Sequence, residues 1–445
     1  MVNSMAIDFD LYSKAVEEAE NFDIYGKVTK VVGLVIEGYA PHSIIGSSCM
    51  IYPHDKDTPI QAEIVGFRDG KALLMSLGDI RGIGPGSLIK VKNNKASLKI
   101  SRQFLGRVID GYGDPIDGKG RLLGEEEYPI YSEPLNPLER NMISETLDLG
   151  VRSINGLLTC GKGQRMGIFA GSGVGKSVLM GMIARNTMAQ VNVVALIGER
   201  GREVREFLEK DLGKDGLKRS VVIAATSDQP PLVRVRGAFI ATTIAEYFRD
   251  LGMDVILMMD SVTRLAMAQR EVGLAIGEPP TAKGYTPSVF AMLPQLLERA
   301  GLSNGKGSIT GLYTVLVEGD DFNEPVSDAM RSILDGHLCL TRELAARNHY
   351  PAVDILQSIS RLMKDISSKE HIETAKKLIE VLAVYKKAED MIDIGAYSKG
   401  SNPKIDLAIK MIDRINSYLK QNVDEKVTIQ QSISQLMNLF KEKTG

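Results

Sequence analysis

The chain has 445 residues, of which 44% are hydrophobic and 25% charged, so it exceeds one ordinary core and reads as two or three globular domains. A formal net charge of −2, with 11 Lys/Arg against 12 Asp/Glu in the first hundred residues, leaves no basic field for holding nucleic acid. Cys49, Cys160 and Cys339 are too scattered for a zinc site or a disulfide framework, and they read as free buried thiols in a reducing compartment.

In chain order, residues 1–22 place Phe9, Tyr12, Val16 and Ala19 at near-helical spacing and predict a short amphipathic segment that binds a partner. Residues 23–100 change to short β-branched runs, such as Lys27–Ile36, Ala62–Phe67, Ala72–Leu77 and Ser87–Val91. Gly70, Gly82, Gly84, Pro85 and Gly86 punctuate them, and the spacing predicts a small β-barrel. Over residues 101–364, apolar strands (Arg165–Ala170, Val191–Ile197, Val221–Ala225, Asp254–Met259, Leu312–Val317) alternate with helical stretches such as Ser177–Met188 and Leu232–Leu251. Strands apolar throughout, separated by helix-length segments, imply an α/β domain whose parallel sheet is covered on both faces. Residues 365–445 are helical only: Glu370–Asp390, Pro403–Gln421 and Thr428–Glu442. No run of about 18 apolar residues and no basic leader with an apolar core appears, which implies a cytoplasmic chain that reaches a membrane only through partners.

The strongest chemical signal is Ala170-Gly-Ser-Gly-Val-Gly-Lys-Ser177, between an apolar strand and a helix. This is the context that a P-loop requires, although its usual first glycine is Ala170 here. Gly171, Ser172, Gly173, Val174 and Gly175 would wrap backbone N–H groups around phosphate oxygens, and the helix running on from Val178 adds its N-terminal partial charge. Lys176 would reach the β- and γ-phosphates and the Ser177 hydroxyl would bind Mg²⁺, so ATP and Mg²⁺ are the expected ligands. Asp260 closes the apolar strand Asp254–Met259; a buried acid there needs a cation, either the metal or a neighbouring lysine or arginine. Glu199 likewise follows a strand and could polarise the attacking water, or act only as a helix-start carboxylate.

Five stretches together resemble the catalytic family of rotary and secretion ATPases. They are Gly171–Ser177, Gly198-Glu-Arg-Gly-Arg-Glu, Asp260-Ser-Val-Thr-Arg264, Gly277-Glu-Pro-Pro-Thr-Ala-Lys-Gly-Tyr285 and Pro351-Ala-Val-Asp-Ile-Leu-Gln-Ser-Ile-Ser-Arg361. The resemblance spans about residues 25–440, and the wording from Phe169 to Ser177 and from Gly198 to Phe207 is similar to that of flagellar protein-export ATPases. It implies a RecA-like P-loop core with an N-terminal β-barrel and a C-terminal helical domain, assembled as a homohexamer. It also implies that Glu199 is the catalytic carboxylate, Arg200 the arginine that orients it and Arg264 a neighbouring active-site arginine. Arg361 matches an arginine finger inserted from the adjacent subunit, and Tyr350 an aromatic that stacks on adenine. The implied partners are a regulatory stator protein at the N-terminus, a central stalk, the export gate, chaperones and export substrates. An injectisome ATPase, an ATP synthase subunit, an RNA translocase and a ring subunit that binds ATP without turnover are the alternatives.

Overall fold

The computed structural model describes residues 24–441 apart from 55–57, 94–95, 318–320 and 322–323. The segment 1–22, expected to bind a partner, lies outside the described residues. The chain divides after Ala96 into two compact units.

The first unit is a closed antiparallel barrel of β1 (Tyr25–Val32), β2 (Val35–Tyr39), β3 (Ser48–Tyr52), β4 (Ile60–Arg68), β5 (Lys71–Ser76) and β6 (Leu88–Asn93), in the order β1-β2-β5-β4-β3-β6. The run Lys27–Ile36, continuous in the sequence, folds back at Gly33, whose φ of +56° suits a two-residue hairpin between β1 and β2. Inward-facing Val28, Ile36, Cys49, Ile51, Ala62, Ile64, Leu74 and Ile89 fill the barrel. The bore is narrow enough that a Cβ on Gly38 would come within 2.6 Å of the Ile89 side chain.

The second unit is built on a mixed sheet. In chain order its main strands are β7 (Arg107–Asp110), β8 (Arg165–Ala170), β9 (Val191–Ile197), β10 (Ser220–Ala225), β11 (Asp254–Asp260), β12 (Ser308–Leu316), β13 (Gly336–Leu340) and β14 (Val353–Ser360). They lie side by side as β14-β13-β8-β12-β11-β9-β10-β7. All neighbours are parallel except β14, which runs antiparallel to β13. All seven residues of β9 are buried, as expected of a central strand covered on both faces.

The principal helices are α1 (Arg152–Leu157), α2 (Lys176–Asn186), α3 (Pro231–Asp250), α4 (Val262–Ile276), α5 (Pro287–Leu297), α6 (Arg342–Ala346), α7 (Lys369–Asp393), α8 (Pro403–Leu419) and α9 (Ile429–Leu439). The three C-terminal helices have no separate core. Leu378, Met411, Ile415 and Leu436 join one apolar cluster with Ile154 of α1 and Ile355 of β14. Where α1 meets α8, a Cβ on Gly156 would fall 1.9 Å from the Tyr418 hydroxyl, so only glycine permits that approach. Cys49, Cys160 and Cys339 are free and buried, and burial pushes each thiol up to about 12. Among the described residues no helix is long and apolar enough to cross a membrane.

Candidate active site

The site lies where the parallel strands end. The buried strand β8 stops at Ala170, and the loop that follows turns through Gly173 and Gly175 at φ of +79° and +90° before α2 begins at Lys176. Those positive angles are why the motif needs glycine, and they face the loop N–H groups and the start of α2 toward one cavity. Val174 turns its side chain into the core, so of that residue only the backbone can meet a ligand. Ser172, Ser177 and Val178 are exposed, and all three border the cavity, which is about 530 Å³ in volume.

Two buried carboxylates face the lysine. The Lys176 Nζ pairs closely with Asp260 Oδ1 and lies 3.6 Å from Glu199 Oε1. Asp260, the last residue of β11, also accepts a 2.7 Å hydrogen bond from the Thr314 hydroxyl of β12. Glu199 Oε1 has no hydrogen-bond partner although it is buried, and it lines the phosphate cavity, so it is an acceptor left for a ligand or a water. Burial raises the Glu199 pKa above the usual carboxylate range, helped by a hydrogen bond shared with Glu203 and by the Asp260 charge, against the pull of Lys176 and Arg264. That shared bond holds Glu203 below its ordinary range. Glu203 closes the stretch Gly198-Glu-Arg-Gly-Arg-Glu but carried no role in the sequence, and nothing in the local pattern marks Thr314.

The arginine on Glu199 is Arg264 rather than Arg200. The Arg264 Nη2 lies 3.3 Å from Glu199 Oε2, and its Nη1 donates to the Gly198 carbonyl. Arg200, expected to orient Glu199, is not in contact with it here: its side chain is 75% exposed and sits 3.6 Å from Glu203. The reason is local, because Arg200 is the extended residue just before the helix Gly201–Glu206 and turns its side chain outward. Gly198 lets Arg264 in, since a Cβ there would meet the Arg264 Cβ at 2.9 Å.

A second cavity of about 890 Å³ shares Gly173, Gly175 and Val178 with the first and extends toward the C-terminal helices. Tyr350 lines it, half-exposed, with its ring carbons about 3.5 Å from where a Gly175 Cβ would stand. Val178, Leu179, Met182, Pro351 and Val423 add apolar lining, which suits a flat base beyond a triphosphate. Arg152 and the loop 420–425 form the opposite wall, and the sequence reading did not anticipate either. Arg342, first residue of α6, also reaches the phosphate cavity.

Arg361 lines neither cavity. The sheet register places it at the opposite edge: Ser360 pairs with Gly336 at the start of β13, whereas Leu340 pairs with Ala170 beside the P-loop. Roughly 15 Å of strand separates the two edges. Arg361 is exposed there, anchored by Nη2 on the Arg331 carbonyl at 3.2 Å and by its own N–H on Asp335 at 3.1 Å.

Strand, glycine loop, lysine and two buried acids at one sheet edge define a P-loop nucleoside triphosphatase. Comparison with known proteins narrows this. Residues 150–360 match the ATP synthase alpha/beta family nucleotide-binding domain, residues 28–92 that family's beta-barrel domain, and residues 367–438 the T3SS EscN ATPase C-terminal domain. The flagellum-specific ATP synthase of Bacillus subtilis is 54% identical over 95% of this chain and 97% of its own. The assembled ATPase EscN of the enteropathogenic E. coli type III secretion system superposes with a TM-score of 0.88 at 44% identity, covering 93% of this chain and 99% of EscN. EscN in complex with its central stalk EscO superposes with a TM-score of 0.86 at the same identity and coverage. The chain belongs to the flagellum-specific and type III secretion ATPases of the ATP synthase alpha/beta family, and it is an ATPase.

Proposed function

We propose that this ATPase energises flagellar type III protein export as a homohexameric ring with ATP bound at the subunit interfaces. The observation that carries the ring is the position of Arg361. Arg361 is held at the sheet edge away from its own P-loop and does not line its own phosphate cavity, which supports the reading that it serves a neighbour's. A finger given in trans makes assembly a condition of turnover, at about 10³–10⁵ in rate.

Within one site, the loop N–H groups of Gly171–Lys176 and the Lys176 ammonium hold the β- and γ-phosphates. The Ser177 hydroxyl would hold an Mg²⁺ ion at the cavity mouth, with the buried Asp260, paired here with Lys176, as the neighbouring acid; the ion would neutralise charge on the phosphate oxygens. Glu199, with its spare Oε1 and an environment that raises its proton affinity, orients the attacking water and takes up its proton. Arg264 holds Glu199 in place from the other oxygen. Tyr350 stacks on the adenine, a contact that needs only a flat ring.

The C-terminal helices share a core with the nucleotide domain, so closure around ATP would be felt by whatever they touch: a central stalk, chaperones and export substrates in this reading. A stator-like protein at the N-terminal segment and the export gate would bring the ring to the inner face of the cell membrane. The greater identity to the Bacillus flagellar ATPase than to EscN favours the flagellar assignment. The injectisome alternative differs only in cargo, and the match of residues 367–438 to an EscN domain is what favours it.

The test is ATPase activity against protein concentration for wild type, Glu199→Gln and Arg361→Ala. Specific activity should rise with concentration and fall by at least about 10²-fold in both variants. Activity independent of concentration and untouched by Arg361→Ala would end the ring reading. Rescue of motility in a Bacillus strain lacking its own flagellar ATPase would support the cargo assignment, and failure of an expressed, active enzyme to rescue would favour the injectisome.

A further inference from the structure

The wall of the base cavity opposite Tyr350 is tied together by one buried amide. Gln421, 5% exposed, follows the C-terminus of α8. Its Oε1 accepts the Arg152 backbone N–H at 2.7 Å. Its Nε2 donates to the carbonyls of Gly150 and Glu425, both at 2.9 Å. Its own backbone N–H donates to the Tyr350 carbonyl at 3.0 Å. Gln421 therefore joins three stretches distant in sequence: the entry to α1, the loop after α8 and the residue whose ring stands over the P-loop.

Arg152 completes the knot. Its Nη1 donates to the carbonyls of Lys420 at 2.9 Å and Tyr418 at 3.3 Å, which α8 leaves without helical partners at its C-terminus, and its Nη2 pairs with Glu425. The amide and the two terminal nitrogens of the guanidinium are occupied by protein groups, while the Arg152 Nε is buried without a partner among the described residues, so the pair acts as struts and leaves the base to the Tyr350 face and its apolar neighbours. The turn before Tyr350 holds Asn348 at a left-handed φ of +52°, a conformation that its surroundings must maintain.

We infer that Gln421 is a positioning residue for the base platform: it fixes the Tyr350 backbone relative to Gly175 and thereby sets the KM for ATP, with no part in phosphoryl transfer. The inference rests on the proposed role of Tyr350. Binding that is equal in ground and transition states appears in KM and not in kcat.

The experiment compares wild type, Gln421→Ala, the volume-matched Gln421→Met, Tyr350→Ala and the Gln421→Ala/Tyr350→Ala pair. It measures kcat and KM for ATP, and inhibition by inorganic tripolyphosphate, which has no base. Both Gln421 variants should raise KM about 5- to 20-fold with kcat within about twofold. The tripolyphosphate inhibition constant should stay unchanged, and the double variant should be no worse than Tyr350→Ala alone. A tripolyphosphate constant that rises in step with KM, a loss of kcat, or additive effects in the double variant would overturn the inference. An unchanged KM in both Gln421 variants would do the same while leaving the Tyr350 reading standing. An unchanged KM in Tyr350→Ala would instead remove the base-platform reading itself.

Discussion

At the scale of single residues, the site assigns unequal work to two arginines that the motif Gly198-Glu-Arg and the later Asp260-Ser-Val-Thr-Arg264 make look alike. Arg264 touches Glu199 and the Gly198 carbonyl, whereas Arg200 reaches only the half-buried Glu203. Arg264→Ala is therefore expected to cost about 10²-fold or more in kcat, and Arg200→Ala at most about threefold in the absence of assembly effects, as steady-state kinetics at saturating protein concentration would show. The histidines make a second prediction. Burial lowers the pKa of His349 to about 4 from an ordinary 6.5, and it also lowers those of His337 and His371. Between pH 6.5 and about 4 the unfolded chain takes up protons that the native His349 refuses, so native stability falls as pH falls through that window. The thermal midpoint should drop on acidification from pH 7 to 5, and His349→Gln should flatten that slope; an equal slope in the variant would assign it to other groups, His337 and His371 among them.

At the scale of elements, α6 connects both cavities to the C-terminal helices. Arg342 reaches the phosphate cavity, the loop just after α6 carries Tyr350, and between them Glu343 and Arg347 are ion-paired with Lys386 and Glu389 of α7. Arg347 and Lys386 are about half exposed while Glu389 is buried, so the exposed members contribute little singly and the acid holds the group together. Glu389→Ala should lower unfolding stability by about 1–2 kcal/mol, more than Lys386→Ala, with the difference shrinking at about 0.5 M salt in denaturant titrations. Such long-range ties explain what the sequence made legible and what it hid. The P-loop and its flanking strand and helix could be read because glycine, lysine and serine at fixed spacing dictate a local backbone. Asp260 stood out as an acid ending an apolar strand. β14 was missed because its polar alternation, with Gln357, Ser358 and Ser360 among apolar residues, lacks the continuous apolar signature of the inner strands. Gln421 and Arg152 were unreadable because their partners lie about 270 residues away.

At the scale of the whole molecule, the proposed ring, with each catalytic unit completed in trans, predicts complementation between defective chains. Glu199→Gln lacks its own base but carries Arg361, and Arg361→Ala has the reverse defect. Mixed in equal amounts, they should form intact pairs at about a quarter of interfaces and regain activity that neither shows alone. Mixtures as inactive as their components would mean that the two residues serve the same chain. The three buried cysteines also have a practical consequence. Their thiols, held near 12, form almost no thiolate at neutral pH, so a folded chain should be nearly inert to maleimides and iodoacetamide. Each becomes reactive only when its surroundings open. The chain thus carries its own clock, with Cys49 timing the opening of the barrel and Cys160 and Cys339 that of the second unit, and no engineered label is needed to ask which of them yields first.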